Sequence, residues 1–259
     1  MGKREFTLHV EDGVATITFN WPQRVNAMGI DFSQDFASVL DRMEARRDAR
    51  VVILTGAGGA FCGGGDLHEI MSPDPTDMER EFELIRGYNR IARRIHQLDV
   101  PVIAAINGPA AGGGVGIALA CDFAIASETA RYDLAFHRVG LSGADVGVPW
   151  LLNRAIGPAL ASYYILTAGS IDAATGQKLG LFAEVVAPAG LMDAAQAAAR
   201  RIAAAPEPAV RISKLALRSS LNTDLNTNLE LEAYLQSYAF RTPQHKQAVG
   251  AYRQRASRK

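Results

Sequence analysis

Cysteine is scarce in this chain: only Cys62 and Cys121 occur among 259 residues. Two thiols are too few for a disulfide scaffold or a thiolate metal cluster, so a protein of a reducing compartment is expected. An excess of charge is also missing, with 27 Lys and Arg against 27 Asp and Glu. Proteins that live on DNA or RNA usually carry a basic excess, so nucleic acid is not an expected partner. No apolar run reaches membrane-spanning length, and the opening MGKREFTLHV lacks the apolar stretch of a signal peptide. A cytoplasmic protein without a membrane partner is therefore expected. A G-x-x-x-x-G-K-[ST] phosphate loop is absent too. What is present is a 48% hydrophobic, 21% charged composition, enough to bury a sizeable core.

FTLHV and VATITF alternate in character around Glu11-Asp12-Gly13 and predict a hairpin. Phe32, Phe36, Val39, Leu40 and Met43 fall on one helical face. VVILT and VPVIAAI are short, apolar and β-branched, as buried strands are. Each runs into glycine: GAGGAFCGGGD after the first, NGPAAGGGVG and then IALA after the second. Strand, glycine turn and helix thus recur about 50 residues apart. Between them, Thr76-x-x-Glu79 has capping-box spacing, and Met78, Phe82, Ile85, Ile91, Ile95 and Leu98 mark a helix. Beyond Gly147 the pattern is mainly helical, with LFAEVV a short strand. Pro206-Glu207-Pro208 divides a core of residues 1–205 from a C-terminal helical region, 206–259, that covers the core or meets another subunit.

Glycine after a buried strand lets a ligand approach backbone N–H groups with no Cβ in the way. Where such a turn opens a helix, free N–H groups and the helix dipole favour negative charge. Two such turns can aim two donors at one oxygen, which is an oxyanion hole. The alternatives are a dinucleotide fingerprint and glycines kept only for tight packing. Gly112, Gly113, Gly114 and Gly116 do not fit G-x-G-x-x-G, which counts against the first.

Three segments carry a family resemblance. FCGGGDLHEI resembles the F-C-A-G-A-D-L-x-E-[ML] segment of the enoyl-CoA hydratase/isomerase (crotonase) superfamily. INGPAAGGGVGIALACDFAIAS resembles its I-N-G-x-A-x-G-G-G-x-E-L-A-x-x-C-D segment. WPQRVNAM resembles its R-P-x-x-x-N-A-[LM] loop, with Trp21 in place of the usual Arg. Their order and separation agree, and the resemblance runs from about Phe6 to about Tyr252. It implies an α/β fold, a crotonase-like spiral of ββα turns with a C-terminal helical region, assembled as a homotrimer or homohexamer. It implies an acyl-CoA thioester as substrate, with coenzyme A entering as part of that substrate and no separate cofactor or metal. The oxyanion donors map to the N–H groups of Gly65 and Gly113. Arg24, Asn26, Ala27, Gly63, Asp66, Leu67 and His68 map to the substrate-binding loops, although Asp66 also suits a structural carboxylate fixing the glycine loop. His68 stands where relatives often have Lys; an unperturbed His is mostly uncharged at neutral pH and a weaker phosphate contact.

The pattern departs where water chemistry would sit. The resemblance places one hydratase glutamate at Gly116 and the other at Phe136, so both positions lack a carboxylate. Two-glutamate hydration is therefore not expected, since losing an acid–base group costs about 10²–10⁴-fold each. Gly140-Leu-Ser-Gly-Ala-Asp145-Val-Gly instead resembles the G-L-x-A-D-V-G segment of dienoyl-CoA isomerases, whose acid moves a proton. Asp145 is thus a candidate catalytic residue, with a helix N-cap near Val146 as the competing reading. An apolar site around Phe136 is expected to raise its pKa. His137 is expected to face solvent, Cys62 to fill a buried space, Asp122 to pack beside a strand, and Tyr88 and Glu81 to border the acyl pocket.

Proton transfer or double-bond isomerisation by Asp145 follows as the leading expectation. A C–C bond hydrolase or decarboxylase acting on a β-keto acyl-CoA, and a catalytically inactive acyl-CoA-binding protein, are the alternatives.

Overall fold

The computed structural model describes residues 5–46, 48–71 and 77–256. Strands β1 (Phe6–Glu11) and β2 (Val14–Phe19) form the expected hairpin, with Glu11 opposite Val14. Asp12 at φ +49° and Gly13 at φ +79° make the left-handed two-residue turn that matches strand twist. Helix α1 (Phe32–Ala45) buries the face carrying Phe32, Phe36, Val39, Leu40 and Met43. Then follow β3 (Val51–Gly56), the single turn α2 (Leu67–Ile70) and α3 (Met78–Gln97). Thr76 lies outside the described residues. The N-cap of α3 is Asp77, whose carboxylate accepts from the Arg80 N–H at 3.1 Å.

The second half of the core repeats the pattern with β4 (Val102–Ile106), β5 (Pro109–Ala111), α4 (Gly113–Leu119), β6 (Phe123–Ser127) and β7 (Arg131–Asp133). Helices α5 (Val148–Ile156) and α6 (Pro158–Leu166), strand β8 (Ser170–Asp172), helix α7 (Ala173–Lys178) and β9 (Glu184–Val186) close it. Four helices end the chain: α8 (Leu191–Ala203), α9 (Glu207–Ser220), α10 (Leu225–Ala239) and α11 (Pro243–Ala256).

The main sheet runs β1-β2-β3-β4-β6-β9, antiparallel at the first pair and parallel thereafter. A second sheet, β5-β7-β8, lies beside it. Isolated parallel bridges Met28–Gly65 and Cys62–Ala110 continue that second layer backwards through the glycine loop. Each turn therefore lays one strand in the main sheet, a short extended piece in the second layer, and then a helix. This is the expected spiral of ββα turns.

β3 and β4 read as unbroken apolar runs because both of their faces are covered. Val52, Leu54, Val102 and Ala104 face the core shared with α1 and α3. Val51, Ile53, Ile103 and Ala105 face α8, whose Ala195, Ala198 and Ala199 let the helix approach closely. An aromatic cluster seals the start of the spiral: Phe6 stacks on Phe36 at 5.1 Å and meets Trp21 edge-on at 5.0 Å. Along α3 the apolar stripe is only partly used. Ile91 and Ile95 are buried, while Met78 and Phe82 are exposed.

Candidate active site

The two glycine loops are knitted together by main-chain bonds. Phe61 N–H donates to Pro109 O at 3.0 Å, and Ala111 N–H to Cys62 O at 2.9 Å. The fit has no room for side chains: a Cβ on Gly114 would lie 2.3 Å from Cys62 O, and one on Gly64, at φ +81°, 2.6 Å from Ala111 O. The triple glycines are therefore required for packing as well as for any chemistry. Cys62 is fully buried beneath this contact, its thiol pushed up to about 12 by burial, and is a filler as expected.

The same ladder decides which donors remain available. Met28 N–H donates to Gly64 O at 2.6 Å, and Asp66 N–H donates to Met28 O at 2.7 Å. In a parallel bridge of this form the residue between, Gly65, turns its own N–H to the opposite side. Gly113 opens α4, so its N–H lies ahead of the intrahelical ladder, and the helix dipole adds positive potential there. Gly65 and Gly113 line one cavity of about 320 Å³. Two backbone donors bordering one cavity can bind one oxygen that gains negative charge.

The structure brings Gly63, Gly65, Leu67, Gly113, Phe136 and Asp145 together in that cavity. Met28, Ile70, Ile85, Val139 and Leu141 supply apolar walls, and Ser142 adds one hydroxyl. Tyr88 closes the floor, with its hydroxyl donating to Gly29 O at 2.8 Å, while Glu81 is exposed on α3 and does not line it. Among the residues lining this cavity, Asp145 supplies the one carboxylate. Its Oδ1 is buried with no hydrogen-bond partner. Burial pushes the carboxyl up to about 6, and the Val146 N–H pulls it part of the way back.

Asp145 does not cap a helix. Helix α5 begins at Val148 with Gly147 as N-cap and no side-chain cap bond; the Asp145 main-chain oxygen, not its carboxylate, accepts from Val148 N–H at 2.9 Å. The expected start near Val146 moves because Val146 and Gly147 both have left-handed φ, +45° and +76°.

Arg24, Asn26, Ala27, Asp66, His68 and Gly116 do not line the cavity. Arg24 and Asp66 form an ion pair at 2.5 Å that ties the first loop to the glycine loop. Asn26 is fully buried: its Oδ1 accepts from Trp21 N–H at 3.0 Å, and its Nδ2 donates to Ala57 O and Ala60 O at 2.9 and 2.8 Å. That side chain holds the loop's shape and has no donor to spare for a ligand. Ala27 O accepts from Trp21 Nε1 at 2.7 Å, which gives Trp21 its own structural job. His68 is exposed on α2. His137 is exposed as expected, although the reason is a 3-10 turn over Ala135–Val139 rather than strand alternation. Sequence reasoning missed Met28 and Ala144 as cavity walls, and Val146 beneath Asp145.

Among the described residues no group of three or more His, Cys, Asp or Glu side chains is placed to hold a metal ion. Nor is any helix long and apolar enough to cross a membrane.

Comparison with known proteins gives the family and the fold. The family model described as Enoyl-CoA hydratase/isomerase matches residues 9–258. The chain is 37% identical over 253 residues to the 1,2-epoxyphenylacetyl-CoA isomerase of Escherichia coli, covering 96% of this chain and 95% of that one. It is 34% identical over 246 residues to the short-chain-enoyl-CoA hydratase of Clostridium acetobutylicum, covering 95% and 93%. The crystal structure of an enoyl-CoA hydratase from Bacillus anthracis superposes with a TM-score of 0.91 at 30% identity, over 96% of each chain.

Proposed function

The chain belongs to the enoyl-CoA hydratase/isomerase family and acts on an acyl-CoA thioester, and from that premise we propose that it moves a proton, and with it a double bond, within the acyl group. Relatives' names divide between isomerase and hydratase, so the reading rests on the site. The observation that carries it is Asp145, the one carboxylate lining the cavity, raised to about 6 by burial in a mainly apolar surround. The two positions that would hold water in a hydratase are Gly116 and Phe136, and neither exchanges protons.

In this mechanism the thioester oxygen accepts from the N–H groups of Gly65 and Gly113. Those donors lower the energy of an enolate, because they meet charge that develops during the reaction. The ionised Asp145 takes a proton from one carbon, leaving its electron pair in the enolate. The protonated carboxyl then returns the proton to another carbon, and the double bond ends in a new place. No atom is gained or lost. A carboxyl with a pKa near 6 suits both halves, being ionised enough to accept and acidic enough to give back.

Incubation with trans-2-enoyl-, trans-3-enoyl-, 3,5-dienoyl- and β-keto acyl-CoAs, followed by mass spectrometry and ultraviolet absorbance, tests the reading. A product of unchanged mass and altered absorbance is expected. Gain of one water, or loss of an acyl fragment, assigns hydration or C–C cleavage instead. Saturable binding without turnover assigns a binding protein.

A further inference from the structure

The turn that carries Asp145 is held in a conformation its sequence disfavours. Val146 sits at φ +45°, a left-handed region that a β-branched residue rarely enters, and its side chain is completely buried. Something must hold it there. Gly113 and Gly116 are three residues apart on α4 and so share one face, one turn apart. A Cβ on Gly116 would lie 2.3 Å from Val146 O and 2.7 Å from Val146 Cβ. A Cβ on Gly113 would lie 2.9 Å from Val146 Cγ2 and 3.0 Å from Asp145 Oδ2. The bare face of α4 is thus a seat, and Val146 fills it.

We infer that Val146 is a positioning residue: its strained backbone, seated on Gly116 and Gly113, holds the Asp145 carboxylate against the first turn of α4, where the Gly113 N–H borders the cavity. The inference rests on the proposed role of Asp145. It also gives Gly116 a purpose beyond the loss of a glutamate. The space into which a side chain at 116 would project is already occupied by the turn that presents Asp145. Single-carboxylate chemistry and glycine at 116 are therefore two sides of one packing arrangement, and Gly116→Glu is expected to dislodge Asp145 rather than to restore hydration.

The test uses four variants of the full chain: Gly116→Ala, Val146→Gly, Val146→Thr and Asp145→Asn. Thr keeps the branched shape of Val; Gly relaxes the backbone but empties the seat. Each is assayed on whichever acyl-CoA the native protein isomerises, with thermal melts to confirm folding. Val146→Gly and Gly116→Ala are expected to lower kcat about tenfold or more at nearly constant KM, since small misplacement of a reacting group is costly. The acid limb of their pH profiles is expected to move toward the ordinary carboxylate range as Asp145 gains solvent. The other ionisable side chains lining the cavities on either side of Asp145 are Tyr88, Arg93 and His96, all on α3. Val146→Thr keeps the branched seat and is expected to retain most of kcat, with its buried hydroxyl costing stability. If Gly116→Ala fails to fold, Val146→Gly carries the test alone. Native kcat in Val146→Gly, or a loss with an unmoved acid limb, overturns the positioning role. Retained turnover in Asp145→Asn overturns instead the reading of Asp145 itself.

Discussion

Lys214 of α9 reaches Asp122 just before β6, Nζ to Oδ2 at 2.7 Å, and donates also to Val100 O at 2.9 Å. Asp122 Oδ2 accepts in addition from the Val102 N–H at 2.6 Å. A buried ammonium thus staples the helix that follows Pro206 to the entry of β4. Lys214→Met keeps the apolar stem but removes the charge. With Asp122 still partly exposed, a loss of about 1–3 kcal/mol is expected, below the value for a fully buried pair. Urea denaturation measures it. Activity per folded molecule should hold, because Lys214 does not line the cavity that holds Asp145.

Asp145→Asn separates stability from activity. The folded carboxyl keeps its proton up to about pH 6, whereas an unfolded one releases it near 4. Folding therefore takes up a proton in that window, and the contribution of Asp145 to stability falls as pH rises through it. Above pH 6 the buried carboxylate costs up to about 3 kcal/mol. Asn removes that cost, so the variant should be more stable than native at pH 7, with a smaller difference at pH 4.5. Turnover should fall about a hundredfold or more. In the native protein kcat/KM should decline as pH drops through about 6, because the carboxylate must be ionised to take the first proton. A variant of native turnover would leave Asp145 without a catalytic part.

Much of the frame was legible because it follows from local rules. Asp12-Gly13 names its own turn, VVILT needs cover on both faces, and the α1 stripe has helical spacing. The glycine loops were legible as two turns after buried strands, and the structure brings them together along one cavity. What stayed hidden depends on contacts distant in sequence. Nothing local announces that Val146 adopts a left-handed φ, because the seat that holds it lies about thirty residues earlier on α4. Asn26 looked like a ligand contact, yet its partners at Ala57 and Ala60 arrive from the loop after β3 and consume it. The capping reading of Asp145 failed for the same reason: a helix cannot begin at Val146 while tertiary packing holds that residue out of helical conformation.

Gly65 offers the cleanest test of the oxyanion donors. A Cβ there would meet only the mobile end of Ile70, Cδ1 at 2.7 Å. Gly65→Ala should therefore fold and keep its N–H, with modest loss of activity. Gly65→Pro removes the N–H, which neither of the bonds joining Met28 to Gly64 and Asp66 uses. Its kcat should fall about 10²–10³-fold below that of the Ala variant. Equal kcat in the two variants would remove Gly65 from the list of donors.

Helix α10 packs against α9 but leaves Leu225, Leu229, Tyr234 and Tyr238, and Phe240 just after it, each more than half exposed. A run of large apolar side chains on one arm is costly to leave in water and marks a contact surface. The occupant expected is a second and third copy of this chain, in a homotrimer or a pair of trimers. Light scattering at micromolar concentration should give three or six chain masses for the native protein. Leu229→Glu with Tyr238→Glu places two charges on that arm and should shift the mass downward while the melting of the core is largely kept, since neither side chain is buried within the protomer. A native monomer under those conditions would contradict the assembly. An unchanged mass in the double variant would move the interface away from α10.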